Sequence, residues 1–292
     1  VVSDEQLASE AGVEILKKGG NAVDAAVAVG FALAVVQPAA GNLGGGGFLL
    51  VRLADGRTAF VDYRETAPAH ASRDMYIRAD GTLDTGAATV GYRSAGVPGT
   101  VAGLELALRN YGTMKLANVM APAIRLAEQG FPVSEKLARS LATARPLLQR
   151  FSLSYRIFLK DGALYQPGDI LRQPELAATL RRIARHGAVE FYRGETAQLV
   201  ADEMARTGGL IRRKDLAGYQ PRVRAPLRAK YSANGAEWEV ITSPPPSSGG
   251  VALIEALNIL SPIELKPGDD PQSIHWVAEA MRRIFADRAA FL

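Results

Sequence analysis

Four consecutive glycines, Gly44 to Gly47, sit inside the run Gly41-Asn42-Leu43-Gly44-Gly45-Gly46-Gly47-Phe48, and Arg64 lies a hairpin further on in Val61-Asp62-Tyr63-Arg64-Glu65. Glycine loses more backbone freedom on folding than any other residue, so a run of four needs a reason. One reason is a backbone that approaches something closely, with amides near a reacting carbonyl or against a partner strand. The other is a bulge where a strand begins. Arg64 carries five N–H donors in a planar fork, which suits a carboxylate held by two parallel hydrogen bonds. An arginine at a strand end is also an ordinary ion-paired surface residue, and spacing alone leaves both readings open.

No nucleophile–base pair accompanies these residues. The chain has no cysteine, which excludes disulfides, thiolate metal sites and a cysteine nucleophile. Its histidines, His70, His186 and His275, stand at no metal-ligand spacing to one another, so no metal is expected. His186 falls at a helix C-terminus, where an imidazolium interacts favourably with the helix dipole. The G-x-S-x-G elbow and the phosphate loop ending in Gly-Lys-Ser/Thr are both absent. The glycine run precedes a strand, whereas a dinucleotide loop precedes a helix. Pro244-Pro245-Pro246-Ser247-Ser248-Gly249-Gly250 reads as a stiff connector, or as a loop delivering helix amides to an anion.

The elements that must position these residues are legible from their punctuation. Ser3 and Gln6 form a capping-box pattern before a first helix that Gly19-Gly20 ends. Asn21 then caps a helix from Ala22 to Val36, apolar nearly all round and therefore central, with Asp24 in its first turn. Phe48 to Leu53 and Arg57 to Arg64 read as a hairpin about Asp55-Gly56. Alternation puts Phe60, Asp62 and Arg64 on one face, where Asp62 is placed to buttress Arg64. A long polar loop follows to Gly96. Helices are expected at about 100–112, 115–129, 134–149, 174–186 and 196–207. Strands should return at Val223 to Tyr231 and at Trp238 to Thr242, before helices over Val251 to Leu260 and from a Ser273 cap onwards. With no repeat and no linker, residues 1–292 read as a single α+β domain.

Composition is that of a globular chain, 48% apolar and 22% charged over 292 residues. The longest apolar stretch, Ala25 to Val36, falls short of a membrane span. Charge is uneven: positions 139–230 hold 18 Lys/Arg against 8 Asp/Glu. No nucleic-acid module accompanies that surplus, so we expect a solvated face or an acidic partner rather than nucleic acid. No signal peptide is visible ahead of the first helix, as in a processed or a cytosolic protein. The final helix stops at Phe291-Leu292 without a terminator, which leads us to expect further residues or a covalent break there.

Several segments, in order along the whole chain, carry a family likeness. They are Gly19-Gly20-Asn21-Ala22-Val23-Asp24-Ala25-Ala26-Val27-Ala28, Gly44 to Phe48, and Asp62-Tyr63-Arg64-Glu65-Thr66-Ala67-Pro68. Further on come Val97-Pro98-Gly99-Thr100-Val101-Ala102-Gly103, Ala121 to Ala127, the triple-proline loop, and Ala278-Glu279-Ala280-Met281-Arg282-Arg283 with Ala286-Asp287-Arg288. On these the chain resembles the large subunit of γ-glutamyltransferases (γ-glutamyltranspeptidases), of the N-terminal-nucleophile hydrolase superfamily.

The resemblance implies a four-layer αββα sandwich completed by a small subunit cut from the same precursor. It places the nucleophile, an N-terminal threonine, on that partner, so no catalytic residue is expected in this chain. The oxyanion-hole donors are implied there too, which leaves close packing beside the cleft as the better reading of Gly44 to Gly47. It gives Arg64 the α-carboxylate of the γ-glutamyl group. The implied reaction is transfer of that group from glutathione or a related compound to water, an amino acid or a peptide. No cofactor is implied, and a periplasmic or secreted location follows from bacterial relatives. Two alternatives are a glutaryl or cephalosporin-type acylase of the same fold, and a catalytically dead binding homologue.

Overall fold

A computed structural model describes residues 1–233 and 235–291. The elements run α1 (Gln6–Lys17), α2 (Ala22–Val36), β1 (Phe48–Arg52), β2 (Thr58–Asp62), α3 (Thr85–Thr89), α4 (Thr100–Tyr111) and α5 (Leu116–Gln129). There follow β3 (Phe131–Pro132), α6 (Glu135–Leu148), α7 (Ser152–Phe158), β4 (Ile170–Leu171), α8 (Pro174–His186), α9 (Ala188–Arg193), α10 (Glu195–Thr207) and α11 (Arg213–Gly218). The last are β5 (Arg222–Arg224), β6 (Leu227–Ala233), β7 (Ala236–Thr242), α12 (Ser248–Leu260) and α13 (Pro271–Phe291). They fall into two compact units, Val1–Gly47 with Tyr63–Pro221, and Phe48–Asp62 with Arg222–Leu292.

The first unit is built on α2. Val27, Ala28, Phe31, Ala32 and Val35 have no accessible surface. That is the expected outcome of a helix apolar on every side, packed here by α1, α4 and α5. Asn21 caps it as the sequence implies: its Oδ1 accepts from Val23 N–H at 2.8 Å and Asp24 N–H at 3.0 Å. Asp24 Oδ2 answers by accepting from Asn21 N–H at 2.7 Å. The same carboxylate takes the Thr113 hydroxyl at 2.7 Å and the amides of Thr113 and Met114 at 2.9 and 3.1 Å. Burial pushes the Asp24 carboxyl up, but the Thr113 hydroxyl and the amides of Asn21, Thr113 and Met114 outweigh it and hold the group below its ordinary value. At the other end of α2, Gln173 Nε2 donates to the Val35 carbonyl at 2.8 Å, satisfying one of the orphan carbonyls.

Helix α1 departs from its expected start. Ser3 does not cap it: the hydroxyl donates to Glu5 O at 2.8 Å, Glu5 is the N-cap residue, and the helix opens at Gln6. The stop is as expected. Gly19, at φ +87°, lets Gly19 N–H reach Leu16 O and Gly20 N–H reach Ile15 O, both at 3.0 Å. That is the paired closure a left-handed residue permits.

In the second unit β1, β2 and β5 form an antiparallel sheet in that order, with Phe48 opposite Asp62 and Phe60 opposite Arg224. The hairpin closes at Gly56, φ +85°. The single strand expected over Val223 to Tyr231 is two: β5 joins β2, while β6 pairs with β7. Pro226, which has no N–H to donate, stands at the break. The last helix is capped by Asp270 rather than Ser273, since Asp270 Oδ2 accepts both Ser273 N–H and its hydroxyl at 2.8 Å. On α13, Ile274, Met281 and Phe285 are each at least half exposed within this chain, while Ala280 and Ile284 are buried.

Candidate functional site

The glycine run is explained by what lies against it in the first unit. Gly47 and Tyr63 exchange backbone hydrogen bonds at 3.0 and 3.3 Å, just outside the hairpin in sequence. The Gly45 carbonyl accepts from Gly99 N–H at 2.7 Å and Thr100 N–H at 3.0 Å, at the start of α4. A Cβ on Gly46 would lie 2.6 Å from Tyr63 O and 2.8 Å from Glu65 N. None of Gly44 to Gly47 has a positive φ, so close approach rather than a left-handed backbone explains Gly46 and Gly47. Gly44 is different, since a Cβ there would meet nothing within 4 Å.

Tyr63 is the piece of the site that sequence reasoning missed. Glycines from separate elements make room for it. A Cβ on Gly103 would sit 2.1 Å from Tyr63 Cγ, one on Gly47 would sit 3.0 Å from its ring edge, and one on Gly99 would sit 2.0 Å from its carbonyl oxygen. Burial pushes the Tyr63 hydroxyl up. The signal was present in the sequence, as Gly99 and Gly103 one helical turn apart, but what they approach is fixed only by the fold.

Arg64 follows Tyr63, two residues beyond β2 rather than within it, and its side chain is exposed. Its carbonyl accepts the Tyr219 hydroxyl at 2.9 Å. Two residues later Thr66 and Val97 form an antiparallel bridge, with hydrogen bonds of 2.8 and 3.2 Å. Arg64 is thus carried on a short span tied down on both sides. In the second unit the Asp62 carboxylate accepts from Arg224 Nε at 2.8 Å, a partner the sequence did not name. The triple-proline loop leads to α12, whose N-cap is Ser247. Among the described residues no three His, Asp or Glu side chains gather as a metal site would require.

The γ-glutamyltranspeptidase family model matches residues 8–292. The chain belongs to this family. A glutathione hydrolase proenzyme of Pseudomonas sp. (strain A14) is 45% identical across all of this chain, which spans 51% of that relative. An acylase ACY 1 proenzyme of Pseudomonas sp. (strain V22) is 39% identical over 99% of this chain and 52% of its own length. The crystal structure of Helicobacter pylori γ-glutamyltranspeptidase matches with a TM-score of 0.95 and 44% identity, covering all of this chain and 83% of that one. The mixed α/β fold is therefore that of the γ-glutamyltranspeptidases, as the sequence implied. The chain spans about half the length of the curated relatives it matches.

Proposed function

We propose that this chain is the large, non-nucleophile subunit of a γ-glutamyltransferase. It works as an obligate pair with a small subunit from the same precursor, in a periplasmic or secreted setting. Arg64 supports this reading most directly: an exposed arginine on a braced span, in a chain of this family. Its fork takes the α-carboxylate of the γ-glutamyl group by two parallel hydrogen bonds. The partner's N-terminal threonine hydroxyl attacks the γ-amide carbon, and its own α-amino group accepts the proton. That proton passes to the departing amine as the amide C–N bond breaks, leaving an ester. Water, an amino acid or a peptide then attacks the ester, giving its proton to the α-amino group. The acceptor takes the γ-glutamyl group as the ester C–O bond breaks and that proton returns to the threonine oxygen. The exposed apolar residues of α13 fit a chain that is covered by a partner.

The test is to express a precursor, establish by intact mass and N-terminal analysis that a second chain begins with threonine, and assay L-γ-glutamyl-p-nitroanilide with and without glycylglycine. Release of p-nitroaniline, raised by the acceptor, is the expected result. No release from a matured two-chain protein would leave the dead binding homologue. The acylase relative favours one second reading, a glutaryl-type acylase. Glutaryl-p-nitroanilide has the same carboxylate without the α-amino group, and its preferential cleavage would replace the first reading with the second.

A further inference from the structure

Helix α11 and the residue after it grip the span that carries Arg64. Asp215 Oδ1 accepts the Ala69 N–H at 3.0 Å, and the Tyr219 hydroxyl donates to the Arg64 carbonyl at 2.9 Å. Both ends of the segment 64–69 are therefore tied to one short helix and the residue that follows it. That helix is itself anchored: Leu216 is fully buried, and Tyr219 N–H bonds its carbonyl at 3.0 Å.

Tyr219 is in turn held in place. Its ring stacks on Tyr192 with centroids 5.5 Å apart and planes 11° apart. Tyr192 is buried; its hydroxyl donates to Pro98 O at 2.9 Å and accepts from Ala102 N–H at 3.3 Å. A Cβ on Gly99 would lie 2.1 Å from the Tyr219 hydroxyl, so the glycine opens the room that hydroxyl occupies.

We infer that Tyr219 is a positioning residue for substrate binding, fixing the backbone from which the Arg64 guanidinium meets the substrate carboxylate. A bidentate contact tolerates only small errors of position and angle, so an anchor on the arginine's own carbonyl acts on substrate affinity without touching substrate. The inference rests on the proposed role of Arg64.

The experiment is a double-mutant cycle on the matured two-chain protein: wild type, Tyr219→Phe, Arg64→Lys and the double variant, with KM and kcat for L-γ-glutamyl-p-nitroanilide. Loss of one neutral hydrogen bond should raise KM by about 2- to 12-fold in Tyr219→Phe, with kcat nearly kept. In the Arg64→Lys background the same change should add almost nothing. An unchanged KM in Tyr219→Phe, or an equal rise in both backgrounds, overturns the inference while leaving Arg64 in the site. An Arg64→Lys protein with wild-type kinetics removes Arg64 from the site, and the inference falls with it. Should Tyr219→Phe fail to mature, Tyr192→Phe keeps the stacked ring and deletes the bond to Pro98. Its KM effect should depend on Arg64 in the same way, and an effect independent of Arg64 overturns the inference.

Discussion

Asp62 and Arg224 form a diagonal ion pair across the β2–β5 ladder, Nε to Oδ2 at 2.8 Å, although the residue opposite Asp62 in register is Arg222. The Asp62 side chain is 8% exposed and that of Arg224 31%, so this pair is shielded more than most surface pairs. Asp62→Ala is expected to cost about 1.5–3 kcal/mol, the range for hydrogen bonds to charged groups. Arg224→Ala should cost a similar amount, and the double variant clearly less than the sum. Urea unfolding midpoints measure all three, and strict additivity would mean that the two residues are not coupled.

Arg64→Lys keeps the positive charge and loses the fork. For γ-glutamyl substrates kcat/KM should fall by about 10- to 150-fold, corresponding to one charged hydrogen bond. Steady-state kinetics on the matured enzyme decide it, and an undiminished kcat/KM would exclude Arg64 from carboxylate recognition.

The glycine run should answer unevenly to alanine. Gly46→Ala drives a methyl against Tyr63 O and Glu65 N, both backbone atoms, while Gly44→Ala meets nothing within 4 Å. We expect Gly46→Ala to cost about 1–3 kcal/mol and Gly44→Ala well under 1, by the usual penalty for overpacking. Thermal melts of the two variants side by side test this. Equal shifts would contradict close packing as the reason for Gly46.

Asp24 makes part of the stability pH-dependent, with a definite sign. Its folded pKa lies below the ordinary carboxylate value, against a reference near ~3.9 in the unfolded chain. The folded state therefore binds the proton less readily. The Asp24 contribution is complete above the unfolded pKa and drains away as pH falls through the folded one. Asp24→Asn should lower stability at neutral pH and flatten the loss below about pH 4. Denaturant titrations at pH 7 and at pH 3 measure the slope, and an unaltered acid slope in the variant would rule Asp24 out as its source.

The sequence was most readable where punctuation and packing agree. Asn21 and Asp24 were identifiable as a helix start because both bonds of that cap lie within four residues. Ser3 and Ser273 misled for the converse reason. Each has a hydroxyl able to cap, but Ser3 spends it on the Glu5 carbonyl, and at Ser273 a carboxylate one turn earlier claims the amide. The short helices α7, α9 and α11 went unread, since six or seven residues hold too little of a 3.6-residue period to show. Arg64 was singled out as a candidate through its neighbours in the chain and the family they resemble. Tyr219 was not, because it lies 155 residues from the carbonyl it holds, a distance that only the fold closes.

The Tyr63 cradle constrains how this sequence can vary. The Tyr63 ring occupies volume that Gly47 and Gly103 leave empty, so none of these three residues has an independent substitution spectrum, while Gly46 and Gly99 leave room for the Tyr63 carbonyl. A smaller side chain at position 63 would open a void that a larger residue at 103 could fill, and neither change would be tolerated without the other. In a saturation library positions 47, 63 and 103 should therefore emerge as one epistatic block, while Gly46 and Gly99, which face a backbone carbonyl, stay intolerant whatever residue stands at 63.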